Sequence, residues 1–400
     1  MVEVRSADQL ADVSGPDWDA LVGDDGFYLS YDWLRYVETE PNERSRYLLA
    51  QKGGRLTGAL VLNWADDPFT VRYRPERFAD LLGIHGRTLL AGGSQGYRST
   101  LLLRPPGDGG ADAADAADAA DDRRRTLAAL LQAALSAAQA DGRDGIVLPF
   151  LTTGALAEVA GVARVRAAFE LPEAEISDCV HGLDAYAERM TKRVRKRIRS
   201  DRARFAEAGW TIRERRLDDC WPDAARLLYR LQAKYGHNER TLTEYERTLA
   251  GQARELSDRS VVFSCEDDDG TAGISVCYRW RTTLYGRLVG FDYDRLRGGH
   301  EYFTTAIYER LEYAARHGVT RLHLGVGSWQ AKGYRGAVLR PLWSAFIPAG
   351  ERDDGPGLEL VDGESVHRWV AEIAKHGIRI DHAEWHEPLK LAAAEAPAQG

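Results

Sequence analysis

Two stretches of the chain share one order of apolar and polar positions. Residues 47–62 are apolar at Tyr47, Leu48 and Leu49, break at Gly53-Gly54, and become apolar again through Leu56 and Leu60 to Leu62. Residues 261–276 repeat this from Val261 and Phe263, through Asp267-Asp268-Asp269-Gly270, to Ile274 and Val276. Each predicts a β-hairpin. Downstream of the first, a helical period over 124–140 leads into an apolar strand at 144–150; downstream of the second, helix 302–316, Gly318 and strand 320–324 repeat that order. Two copies of hairpin, helix and strand predict duplicated α/β domains. A further helix is expected over 221–234, followed by a polar break at Tyr235, His237 and Asn238.

Between the copies, Met190, Val194, Ile198 and Phe205 recur at helical steps, Gly209 closes the segment, and nearly every other position is Lys or Arg. Such a helix buries one stripe and presents cations on the other face. The whole chain carries a formal net charge of -8, so this run is concentrated against the overall balance, with almost no acid within four residues to neutralise it. It suits the phosphates of a cofactor, an activated sugar or an RNA backbone. A solvated face neutralised by nearby acids is the alternative.

A chain of 400 residues exceeds the ~250–300 at which single cores stop growing. The expected division is a first domain over 1–187, a connecting basic helix over 188–209, a second domain over 210–350 and a C-terminal extension over 351–400. Residues 105–123, a Pro/Gly turn followed by an Ala/Asp repeat, have no bulky apolar side chain and are expected to form a disordered insertion. No apolar run approaches the ~18–20 residues that span a bilayer, and the N-terminus has no apolar leader, so a cytoplasmic protein without a membrane partner is expected. Cys179, Cys220, Cys265 and Cys277 lack C-x-x-C spacing and nearby His, which predicts buried thiols and no metal site.

The order strand, glycine hairpin, strand, helix, strand resembles the Gcn5-related N-acetyltransferase fold, and its duplication around a basic helix is similar to the FemAB-like branch, the Fem-type peptidyltransferases. The residues that carry the resemblance are Lys192 to Arg199 with Ala206-Glu207-Ala208-Gly209, Tyr235-Gly236 with Leu242-Thr243, Thr283 to Gly290, Leu311 to Gly318, and Lys332-Gly333-Tyr334-Arg335-Gly336. Asp17 to Leu21 and Phe27 to Ser30 also fit. The resemblance implies tandem acetyltransferase-like α/β domains, each a mixed sheet flanked by helices, with the donor site in the second. It implies transfer of an aminoacyl group from aminoacyl-tRNA to a small-molecule or peptide amine, with no tightly bound cofactor and with tRNA as partner. An acyl-coenzyme A dependent N-acyltransferase is the alternative enzyme, and a non-catalytic RNA- or ligand-binding module the alternative class. Two departures bear on this: Thr304 stands where the family has an acid, and Gly325-Val326-Gly327-Ser328-Trp329-Gln330-Ala331-Lys332 keeps the lysine but not the neighbouring carboxylate and His.

Acyl transfer to an amine needs a held electrophile, a neutral amine and stabilisation of a developing oxyanion. By the resemblance, Lys332 supplies the charge, following a strand and a glycine-rich turn. Glu301, Asp292, His300 and Tyr293 are candidates for proton removal near the start of the long helix of the second domain. Arg335 offers a planar fork to a phosphate or carboxylate; structural pairing is equally compatible. Tyr235, His237, Asn238, Tyr285, Arg287 and Trp329 are expected at the substrate. Arg193, Lys196 and Arg197 of the basic helix, with Arg295, Arg297 and Gly298, are expected at donor phosphates. In the loop Arg295-Leu296-Arg297-Gly298-Gly299-His300 the bulky last residue obstructs close phosphate approach and favours a donor other than coenzyme A.

Overall fold

The computed structural model describes residues 2–65, 68–105, 113–350 and 355–395. The chain divides into two compact units, one of residues 1–171, 341–371 and 381–400, the other of residues 172–340 and 372–380. The division falls inside strand Arg164–Ser177 rather than at the basic helix, and residues after 350 are shared between both units instead of forming an extension. The physical reason is non-local pairing: Gly357–Leu360 adds in parallel to residues 164–167, and Phe169 meets Trp343, Trp369 and Trp385 with ring centroids 5.2–5.9 Å apart.

In the first unit the expected hairpin is strands Glu43–Lys52 and Arg55–Ala65, turning at Gly53 and Gly54 with φ of 58° and 78°. Glu3–Ala7 pairs antiparallel with the first of these strands, and Thr88–Ala91 pairs antiparallel with the second and parallel with Gly145–Leu151. Helix Ala113–Ala140 covers this sheet with Leu127, Leu130, Leu131, Ala134 and Ala138, all buried. The helix corrects the expected disorder of 105–123 from residue 113 onward; residues 106–112 lie outside the described residues. Alanine is the strongest helix former, and Asp121 and Asp122 pair with Arg124 and Arg125 one turn on, so this segment needs no core to be helical.

In the second unit Thr211–Arg215, Ser260–Asp267, Gly270–Trp280 and Thr283–Phe291 form an antiparallel meander. Arg321–Val326 then pairs in parallel with Thr283–Phe291 and antiparallel with residues 173–177. The parallel ladder covers only Thr283↔Arg321, Leu284↔Leu322 and Tyr285↔His323, although both strands run on, to Phe291 and to Val326. A bulge between His323 and Gly325 accompanies the separation. Helix Trp221–Lys234 matches its expected bounds, and Leu242–Leu256 begins with a capping box in which Thr241 and Glu244 exchange hydrogen bonds.

The basic segment is two helices, Gly182–Arg189 and Lys192–Glu207, separated by Met190 and Thr191, whose hydroxyl caps the second. Ile198 is buried and Phe205 packs on Trp210, Cys265 and Ala272, as the apolar stripe predicts. The long helix of this unit is interrupted: Glu301–Phe303 is α-helical, Thr304–Tyr308 forms a π turn, and Glu309–His317 resumes the α-helix. One extra residue in a turn rotates the remainder of the helix by about 100°.

Candidate active site

The candidate site of the second unit lies where its parallel strands part. After Val326 the chain makes a tight turn in which Gly325, Gly327 and Ser328 have φ of 73°, 73° and 45°. Ser328 is a non-glycine residue in a costly conformation, a feature that concentrates at functional sites. The turn leads into the short helix Trp329–Gly333, which carries Lys332 back toward the strand end. Lys332 Nζ donates to the carbonyls of Gly325 at 3.0 Å and Val326 at 2.9 Å. The side chain is buried and has no ion-pair partner among the described residues. Burial first, and the charge of Arg310 second, lower its pKa from 10.5 to about 7, with Glu173 acting the other way.

Arg310 was not legible as a site residue. It comes from Glu309–His317, is 3% exposed, and donates from Nη2 to Ser275 Oγ at 2.7 Å. A Cβ at Gly286 would stand 2.0 Å from its Nη1, so only glycine on that strand leaves room for the guanidinium. Glu173 and His323, both buried, bond each other at 2.7 Å, and the Tyr285 ring lies 5.1 Å from the His323 ring. Tyr285, expected at the substrate, is wholly buried against this pair, whereas Arg287 is half-buried on the same strand.

A second centre is Asp201, the buried acid of the basic helix. It is buried and receives Arg335 Nε at 3.0 Å and Nη2 at 2.7 Å, the Tyr308 hydroxyl and His300 Nδ1 at 3.1 Å. Arg335 also lies over the Phe303 ring. Its fork is therefore engaged within the protein. The signal for Asp201 was its spacing, three residues after Ile198 and four before Phe205 on the inward stripe.

The loop before the broken helix is closed by its own carboxylate. Glu301 Oε1 accepts from the backbone N–H of Arg297 at 2.8 Å and from the Trp210 indole at 3.0 Å. Burial alone would push this carboxyl up, but the N–H groups of Glu301, Arg297 and Gly299, with the indole, hold it below the usual carboxylate range. Arg295 and Arg297, expected at phosphates, both bind Asp267, and Arg297 lies 4.2 Å over the Trp210 ring. Gly298 has a φ of 70° in this loop. Asp292 is buried and paired with Arg230.

The cationic face of Lys192–Glu207 is divided. Arg195 and Arg199 pair with Glu188, Arg202 with Asp184, and Arg204 Nη1 lies 3.3 Å from His300 Nε2. Arg197 donates to the Tyr334 carbonyl at 3.4 Å and covers its ring at 4.6 Å. Lys192, Arg193 and Lys196 are exposed and have no ion-pair partner among the described residues. The expected neutralising acids thus come from the preceding helix and reach only one side. Tyr235, His237 and Asn238 are exposed beyond Trp221–Lys234, and Trp329 is half-buried with its ring 5.5 Å from His376. The structure brings together Lys332, Arg310, Glu173 and His323; Glu301 and Asp292 make their close contacts elsewhere in the unit.

All four cysteines are buried free thiols. Among the described residues no group of three or more His, Cys, Asp or Glu could hold a metal, and no helix is long and apolar enough to cross a membrane.

A model of FemAB-like proteins, described as peptidoglycan biosynthesis and recognition, matches residues 115–353. Among solved structures, the chain is similar to FemX at a TM-score of 0.55 and 12% identity, over 84% of this chain and 96% of FemX. It is similar to the C-terminal domain of a protein from Agrobacterium fabrum assigned as a lysylphosphatidylglycerol synthetase, at a TM-score of 0.50 and 13% identity, over 91% of this chain and 97% of that domain. A tandem N-acetyltransferase protein from the clavulanic acid biosynthesis pathway matches at a TM-score of 0.47 and 15% identity, over 88% of this chain and 100% of its own. No curated protein matches significantly. At such identities the likeness speaks to fold, and the tandem acetyltransferase-like α/β architecture expected from the sequence is the one present.

Proposed function

The chain belongs to the FemAB-like family of peptidoglycan biosynthesis and recognition proteins and is an acyltransferase of that family, and from this premise we propose that it moves an aminoacyl group from aminoacyl-tRNA to an amine, forming an amide or peptide bond. The observation that carries the choice of donor is Glu301. A diphosphate is normally held by backbone N–H groups of a glycine-rich loop opening a helix. Here those of Arg297, Gly299 and Glu301 are taken by the protein's own carboxylate. A coenzyme A diphosphate would have to displace a buried, hydrogen-bonded anion. A tRNA makes no such demand, and the exposed Lys192, Arg193 and Lys196, which have no ion-pair partner among the described residues, suit its phosphates.

In this reading Lys332 is the centre of the chemistry, the exposed Tyr235, His237 and Asn238 face the acceptor, and Arg335, Arg295 and Arg297 hold the protein together rather than the ligand. The acceptor is a peptide-borne or small-molecule amine, and the protein works in the cytoplasm with tRNA as its partner.

Titration calorimetry tests the donor. Uncharged tRNA should bind with an affinity that falls by about 0.7 to 0.9 log units per log unit of salt for each phosphate contact. Coenzyme A should give no heat with the wild type. Tight binding of coenzyme A without binding of tRNA would overturn the reading.

A further inference from the structure

We propose that Lys332 is the proton acceptor for the incoming amine and that Arg310 is the positioning residue that sets its charge. This rests on acyl transfer as the activity and says nothing of which donor is used. Valence is the starting point. A neutral amine has two N–H bonds and one lone pair. Lys332 Nζ donates to two carbonyls, those of Gly325 and Val326 at 3.0 and 2.9 Å, so a neutral lysine there spends both N–H bonds on them and keeps its lone pair for a proton.

The surroundings decide the charge. Arg310 and Lys332 are 3% and 5% exposed, respectively. A guanidinium cannot give up its proton in a protein, so when two cations share a dry interior the lysine is the one that yields. Arg310 has no acidic partner among the described residues, its Nε bonds nothing among them, and its one side-chain hydrogen bond goes to neutral Ser275. Its field is therefore not cancelled at source. On the facing elements, Glu173 is the carboxylate that opposes this field, and it is bonded to His323 at 2.7 Å. From the same helix as Arg310 comes Tyr302, whose phenol burial raises and Arg310 lowers. On Lys332's own side, Arg335 is neutralised by Asp201.

The proton balance is complete. The neutral amine nitrogen attacks the acyl carbon, forming the C–N bond and leaving a positively charged nitrogen. Its proton passes to the lone pair of Lys332. As the bond from the acyl carbon to the leaving oxygen of an ester, or the leaving sulfur of a thioester, breaks, the lysine returns that proton to the leaving atom, so donor and amine become amide and alcohol or thiol with no net proton change. A lysine poised near neutrality suits both transfers.

The test follows Lys332 directly, through the Cε signal of 13C-lysine as pH is raised, assigned by its loss in Lys332→Arg; the chain has only seven lysines. The wild-type midpoint should lie near 7. In Arg310→Met it should move up by more than about one pH unit, and in Arg310→Lys, which keeps a cation and serves if the first variant does not fold, by less. The acid limb of the pH–rate profile for single-turnover transfer should move in parallel, so that Arg310→Met is slow at pH 7 and recovers at pH 9. A wild-type midpoint above 9, a midpoint unmoved by either variant, or a rate depressed equally at every pH would overturn the proposal. If the titration behaves as stated but charged tRNA yields no product, the donor reading fails and this one stands.

Discussion

Arg335 holds Asp201 through two guanidinium nitrogens, Nε at 3.0 Å and Nη2 at 2.7 Å, with both side chains buried. The pair ties the segment that follows Lys332 to the inner face of the basic helix, and Tyr308 from the π turn joins it. Removing one partner strands a buried charge. Asp201→Ala should therefore cost about 3–5 kcal/mol in urea unfolding, whereas replacing both partners by apolar residues, Asp201→Leu with Arg335→Met, should recover most of it. A single substitution that costs less than ~0.5 kcal/mol would show that Arg335 is not held in this way.

Lys332→Met should lower single-turnover transfer by about two to four orders of magnitude, the range for loss of a positioned acid–base group. Its effect on stability has a defined sign. The folded pKa near 7 lies below the ordinary 10.5, so between these values the unfolded chain binds the extra proton and stability rises with pH. It is lost as pH falls from 10.5 toward 7 and is flat below. The buried thiols Cys179, Cys220 and Cys265, pushed up to about 12 by burial, act in the opposite sense above 9. The clean quantity is the wild-type minus Lys332→Met difference, which should rise from pH 7 to pH 9 by on the order of 2–3 kcal/mol. A pH-independent difference would mean that the lysine stays charged.

Reversing Lys192, Arg193 and Lys196 to Glu should weaken tRNA binding at least ~10-fold and flatten its salt dependence by about two to three phosphate contacts. Far-UV circular dichroism should be unchanged, because these side chains are exposed and none is paired within the described residues. Unchanged binding would remove this face from donor recognition.

Local patterns were legible, and non-local ones were not. Both hairpins, helix Trp221–Lys234 and the stripe of Ile198 and Phe205 follow from periods of two and 3.6 that each segment carries within itself. The division of the units did not, because Gly357–Leu360 finds its partner at residues 164–167 and Trp385 finds Phe169, contacts with no trace in a local window. The helix from Ala113 leaves no amphipathic trace in its first turns, because an Ala/Asp repeat lacks a core face but not helix propensity. At the site, Lys332 was accessible by resemblance, whereas Arg310 looks like any surface arginine of an amphipathic helix. Its only local hint was Gly286, a glycine inside a strand, which signals close approach by something on another element. Asp201 carried a clearer sign, an acid on the apolar stripe of a helix otherwise covered in cations.

The proposed reaction is transfer of an acyl group from a charged tRNA to an amine. The full-length protein should be incubated with a pool of candidate peptide and small-molecule amines and either a mixture of aminoacyl-tRNAs or a set of acyl-coenzyme A esters, with product masses recorded. Acceptors heavier by one amino-acid residue are expected in the tRNA reactions, absent from Lys332→Met, with no acylated product in the coenzyme A reactions. Acylated amines that form from coenzyme A esters while charged tRNA gives none would contradict it.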